Sequence, residues 1–106
     1  MNDHQTITGI YPGTFDPVTF GHLDIVERAC NIVDKLIISA AENIHKKPFF
    51  TIDERVSMIK ESLKLINTNK CLIEVVGFDN LLVDHAKRFN AKVIICLLYT
   101  SPSPRD

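Results

Sequence analysis

Between a short apolar segment and an amphipathic helical stripe lies the run Tyr11-Pro12-Gly13-Thr14-Phe15-Asp16-Pro17-Val18-Thr19-Phe20-Gly21-His22. Thr6 to Tyr11 alternates and then runs apolar, the pattern of a strand that feeds a turn. Pro12-Gly13 stops that strand. Gly13 has no Cβ and Pro12 no N–H, so a ligand could approach this backbone closely, and Thr14 adds a hydroxyl and an N–H at the same spot. A second bend follows at Asp16-Pro17. The helical stripe begins after Gly21, which puts His22 in the first turn, beside unpaired N–H groups and the positive end of the helix dipole. A strand–loop–helix junction of this kind points to an alternating α/β architecture and marks the place where such chains bind phosphates.

The remainder of the chain repeats the alternation. Leu23, Val26, Cys30 and Val33, widened by Ile25, Ala29 and Ile32, form the buried stripe of the first helix, with Asp24, Glu27 and Arg28 toward water. Lys35 to Ala41 is a short apolar run suited to a strand buried on both faces. Glu42 to Phe50 reads as a polar loop carrying Lys46-Lys47-Pro48. Thr51-Ile52-Asp53-Glu54 fits a capping box, and Val56, Ile59, Leu63 and Ile66 supply the stripe of the helix it opens. Leu72 to Val76 predicts a third strand, and Gly77 turns the chain. Asp79 or Asn80 can cap a helix to about Phe89 that buries Leu82, Ala86 and Phe89. Lys92 to Cys96 predicts a fourth strand. Three consecutive βαβ units with right-handed crossovers make a parallel sheet of about four strands with helices on both faces, a Rossmann-like α/β fold.

A chain of 106 residues has room for one small domain. Its net charge of −1 leaves no basic field to hold nucleic acid or an anionic membrane. No apolar run approaches the length of a membrane span, and Met1 to Thr6 lacks the apolar core of a signal peptide, so a cytoplasmic location is expected. Cys30, Cys71 and Cys96 are odd in number and widely spaced in apolar surroundings, which predicts buried free thiols in place of a disulfide framework or a zinc site. His4, His45 and His85 have no Cys, Asp or Glu partner at metal-ligand spacing.

The glycine pattern matches neither of the two common phosphate loops. The run Tyr-Pro-Gly-Thr-Phe-Asp-Pro followed by Thr-x-Gly-His instead resembles the nucleotidyltransferase superfamily and, within it, the bacterial phosphopantetheine adenylyltransferase family. The resemblance extends from about Ile7 to Ile95. It implies a strand order with the first strand central, the second and third to one side and the fourth on the other, so that ligands bind outside the carboxyl ends at the switch point. It also implies a reaction: the phosphate of 4′-phosphopantetheine attacks the α-phosphorus of ATP in line, giving dephospho-coenzyme A and pyrophosphate, with Mg²⁺ carried on the phosphates. The protein's part in such a transfer is alignment and charge neutralisation.

Carried onto matching positions, the resemblance makes His22 the catalytic donor to the α-phosphate. Thr14 would contact both ATP and the incoming phosphate, Phe15 would contribute its backbone N–H to ATP, Lys46 would grip the acceptor phosphate, and Leu82 would line the pantetheine arm. Outside the motif, His22 would read as an exposed cap residue, Thr14 as a turn residue, Lys46 as a solvated loop charge and Leu82 as core. Asp16 is expected only to fix the turn before Pro17. Thr19 stands where cytidylyltransferase relatives carry another histidine, which favours the pantetheine branch over acceptors such as nicotinate mononucleotide or glycerol phosphate. The family assembles as a hexamer, so a homo-oligomer is the expectation that follows.

From Leu97 to Asp106 the text turns polar and is twice interrupted by proline. Where the family continues its fourth strand with an arginine, a glycine and a second arginine, this chain reads Cys96 and an unrelated tail. The expectation is therefore an incomplete nucleotidyltransferase domain over residues 1–96 and a non-native tail over 97–106. The polypeptide itself would have negligible turnover, and a non-catalytic nucleotide-binding fragment is the alternative description.

Overall fold

A computed structural model describes residues 6–42, 47–68, 71–79 and 82–95. The elements follow in the order β1 (Thr8–Gly13), α1 (Phe20–Ala29), β2 (Lys35–Ala41), α2 (Ile52–Ser62) with a 3₁₀ turn at Leu63–Leu65, β3 (Leu72–Phe78), α3 (Leu82–Arg88) and β4 (Val93–Ile94). The strands form one sheet in the order β3-β2-β1-β4, and every pairing is parallel. Strand order therefore agrees with the expectation, with β1 central and a switch point between β1 and β4.

Alternation along the strands sends side chains to two faces. Tyr11, Leu36, Ile38 and Ala40 meet Ile25, Val26 and Ala29 of α1 and Ile59 of α2 in the larger core, whereas Ile10 and Ile37 meet Leu82 and Ala86 of α3 and Phe89 just after it on the other face. Three helices thus cover both faces of a sheet whose central strands expose almost nothing: Ile10, Leu36, Ile37 and Ala40 are all at 0%.

Helix starts are set by side chains at their caps. Thr51 accepts from the N–H of Glu54 while Glu54 accepts from the N–H of Thr51, the reciprocal pair that the sequence predicts. Strand ends differ from expectation by a residue or two. β3 runs on through Gly77, where an added Cβ would meet Ile52 Cγ1 at 2.7 Å. That glycine lets α2 sit close on the sheet edge instead of turning the chain. Ile32 is exposed, because the chain leaves α1 at Ala29 before its stripe reaches that residue.

The cysteines depart from the expectation of separate thiols. Cys30, just after α1, and Cys71, just before β3, are joined as a disulfide with Cα atoms 5.3 Å apart. The parallel register explains the encounter. Lys35 pairs with Leu72 and the Leu72 N–H donates to Asp34 O, so the residues preceding β2 and β3 converge at the amino end of the sheet. A separation of 41 residues hides this in the sequence. Cys96 and the segment 97–106 lie outside the described residues.

Candidate active site

The loop between β1 and α1 opens at the carboxyl end of the central strand and forms one wall of a cleft of about 810 Å³. Pro12, Gly13, Thr14, Phe15 and His22 line it from this side, Ala41 and Glu42 from the end of β2, and Lys47, Pro48, Phe49 and Arg55 from the approach to α2 and its first turns.

His22 owes its setting to α1. Thr19 caps that helix, and the third helical position, where a capping box usually has Glu or Gln, is His22. The Thr19 N–H donates to His22 Nδ1 at 2.9 Å, the Thr19 Oγ1 lies 3.1 Å from the same nitrogen, and the His22 N–H returns to Thr19 Oγ1 at 3.3 Å. A backbone N–H can only donate, so Nδ1 must hold a lone pair. The ring proton of the neutral imidazole therefore sits on Nε2, which becomes the donor. Burial holds the His22 pKa below the ordinary imidazole value.

Phe15 supports this imidazole from below. It adopts φ 51°, the left-handed region that a bulky side chain rarely occupies. The unusual backbone turns the ring inward to 2% exposure, where it meets His22 edge-on at 4.7 Å and Tyr11 edge-on at 5.3 Å. The ring also fills the space over Gly13: a Cβ there would lie 3.0 Å from it. Gly13 is thus needed for Phe15, and the ligand room that the sequence suggests over this glycine is taken by that ring.

Asp16 does more than fix a turn. Its carboxylate accepts from the Phe49 N–H at 2.6 Å and the Phe50 N–H at 2.9 Å, across more than thirty residues of sequence. Arg55 reinforces the same junction. At 2% exposure it donates from Nε to Phe50 O and from Nη1 to Thr14 O and Ala41 O, each at 3.0 Å. Neither role is evident from residue type alone. A signal for Arg55 exists, though: it stands three residues after Ile52 and four before Ile59, on the stripe that the helix buries.

Of the residues expected at the site, Thr14, Phe15 and His22 come together in this cleft. Lys46 lies outside the described residues, next to Lys47, which lines the cleft. Leu82 does not line it; at the start of α3 it packs on the opposite-face cluster with Ile10 and Ile37. His85 is also internal, with Nε2 2.8 Å from Ser39 Oγ and its ring stacked on Phe78 at 4.3 Å. Among the described residues, no group of three or more His, Cys, Asp or Glu is placed to hold a metal ion, and no helix is long and apolar enough to cross a membrane.

Residues 10–101 match the family described as cytidylyltransferase-like. The chain belongs to that family. Among relatives, it is 53% identical over 95 residues to the phosphopantetheine adenylyltransferase of Wolbachia sp. subsp. Brugia malayi, an overlap of 90% of this chain and 54% of that protein. It is 49% identical over 87 residues to the protein of the same name from Rhodospirillum centenum, covering 82% of this chain and 48% of that one. The chain thus spans about half the length of these relatives. Among solved structures, the lipopolysaccharide core biosynthesis protein of Thermoplasma volcanium superposes with a TM-score of 0.65 at 19% identity, over 85% of this chain and 73% of that one. A bifunctional NMN adenylyltransferase/ADP ribose pyrophosphatase from Francisella tularensis, solved with AMP and a manganese ion, gives 0.59 at 22% identity, over 85% of this chain and 32% of that one. These two structures share this chain's fold, a Rossmann-like arrangement of parallel strands and helices.

Proposed function

We propose that the cleft holds the phosphates of ATP, and that the protein transfers AMP from ATP to 4′-phosphopantetheine, yielding dephospho-coenzyme A and pyrophosphate. The observation that carries this reading is the meeting of Thr14, Phe15 and His22, with Lys47 and Arg55, around one opening at the carboxyl end of β1. The 53% identity to a phosphopantetheine adenylyltransferase over 90% of the chain supports the choice of acceptor.

In this reading His22 Nε2–H donates to an α-phosphate oxygen and keeps that donor aimed because Nδ1 is committed to Thr19. The Thr14 hydroxyl contacts ATP and the incoming phosphate, and the Phe15 N–H contacts ATP. Lys46 neutralises the acceptor phosphate. The acceptor's pantetheine arm runs toward α3, with Leu82 as the apolar residue of that end. Both oxygens of Asp16 are taken by amides, which suits a Mg²⁺ that arrives on the triphosphate and needs no protein cage. We place this chemistry in the cytoplasm and in a homo-oligomer, and assign the nucleotidyltransferase domain to residues 1–96, with 97–106 as a non-native tail.

Calorimetry with MgATP and with 4′-phosphopantetheine tests the assignment. Binding of both is expected, with His22→Ala weakening MgATP by about tenfold, the worth of one charge-assisted bond. No binding of either refutes it, and preferential binding of nicotinate mononucleotide or glycerol phosphate replaces the acceptor.

A second reading, nucleotide binding without turnover, is favoured by Cys96, which stands where the family's arginine is expected. Loss of an arginine clamp costs roughly 10³-fold or more in rate. Pyrophosphate release by the 106-residue polypeptide is therefore expected to be negligible. Turnover that His22→Ala abolishes would overturn this second reading.

A further inference from the structure

We infer that Arg55 is the positioning residue of the phosphate cleft, a fixed guanidinium that sets both its shape and its potential; this rests on the reading of the cleft as a phosphate site. Arg55 is 2% exposed and lies in the wall of the cleft. Its three hydrogen bonds go to carbonyls from three separate segments: Thr14 after β1, Ala41 at the end of β2 and Phe50 before α2. One side chain therefore ties together the loop that presents Thr14 and Phe15, the strand end that leads into the lysine-bearing loop, and the start of the helix behind them.

The partners are as informative as the number of bonds. Among the described residues the ion pairs are Arg28–Asp24, Lys35–Glu74 and Lys64–Glu61; none involves Arg55. Asp16, the acidic residue of the loop after β1, has its two oxygens on the amides of Phe49 and Phe50. Carbonyl oxygens solvate a guanidinium but do not cancel its charge. A buried cation with no ion pair among the described residues is costly for a purely structural fastening, which a neutral or paired side chain would provide at lower cost. A guanidinium bonded to carbonyls in the cleft wall does, however, match a polyanion that enters it, and it acts through a less polarisable medium than water even with Asp16 and Glu42 in the same lining. A guanidinium presents a rigid fork of donors, so lysine can keep the charge at this position but cannot span the three carbonyls.

The test uses the 106-residue chain, inorganic tripolyphosphate as probe, and Arg55→Lys and Arg55→Met, with circular dichroism to establish folding at the binding temperature. Arg55→Lys is expected to weaken tripolyphosphate binding by about tenfold through lost positioning, and Arg55→Met more than that, because the charge goes as well. Folded variants that both bind within twofold of the original chain overturn the inference. A measurement on the unaltered protein covers variants that do not fold. The Arg55 Nε–H resonance is expected to exchange slowly and to shift as tripolyphosphate is added. If the Thr14 and Phe15 amide signals shift and Arg55 Nε–H does not, the positioning role is refuted while the cleft stands. If none of them shifts, the reading of the cleft as a phosphate site is refuted too.

Discussion

Replacing Asp16 should loosen the junction at Phe50 that Arg55 also fastens, and the structure sets the size of the effect. The carboxylate accepts two backbone N–H groups, Phe49 at 2.6 Å and Phe50 at 2.9 Å. A hydrogen bond to a charged group contributes about 1.5–3 kcal/mol where water cannot replace it. The Phe49 bond is exposed, so water recovers most of it, whereas the Phe50 bond is partly buried and retains more. Asp16→Ala is therefore expected to cost about 1.5–2 kcal/mol, nearly all from Phe50. In a domain of this size each kcal/mol lowers Tm by about 4–8 °C, so a fall of roughly 6–16 °C is expected. Asp16→Asn should lose less than Asp16→Ala, because its Oδ1 can still accept from the Phe50 N–H while its NH₂ turns to the exposed Phe49 side. Thermal unfolding by circular dichroism gives the first readout, and amide exchange at Phe50 gives the second, with faster exchange expected in both variants. Melting temperatures within about 2 °C of the original chain, with Phe50 exchange unchanged, would refute the reasoning.

Two further outcomes follow from the caps and the histidines. Thr51→Ala removes half of a reciprocal capping box and is expected to cost about 1 kcal/mol in urea unfolding, and Thr51→Ser should restore most of it. Burial lowers the pKa of both His22 and His85, with Arg88 adding to the effect at His85. The unfolded chain then binds more protons than the native one below the ordinary imidazole value of about 6.5, so stability is complete above that pH and falls as pH drops toward the lowered native values. Urea midpoints between about pH 5 and 8 should show that slope, and His85→Phe should reduce it.

Much of the fold is legible because its causes are local or periodic. The cap at Thr51, the apolar run of β2 and the stripes of α1 and α2 are properties of neighbouring residues. The capping box at Thr19 is hidden from a reading of residue types because its third position is a histidine. Only the contact between Thr19 N–H and Nδ1 shows which nitrogen of His22 carries the proton. β4 is the shortest of the strands, Val93–Ile94, with the Lys92 and Ile95 N–H groups donating to Thr8 O and Ile10 O on either side, while Cys96, the predicted end, lies outside the described residues.

The sequence by itself determined the alternation of strand and helix, the parallel sheet that follows from it, and the junction from Tyr11 to His22 at which ligands are expected. It could do so because period, capping chemistry and backbone breaks act over a few residues. Tertiary structure alone decided that Asp16 holds Phe49 and Phe50, that Arg55 is interior and joins three segments, that Cys30 meets Cys71, and that Leu82 packs against the cluster of Ile10 and Ile37. Each of these depends on the sheet's register and on which ends of its strands converge. Residues tens of positions apart become neighbours there, and their chemical roles are fixed only once they touch.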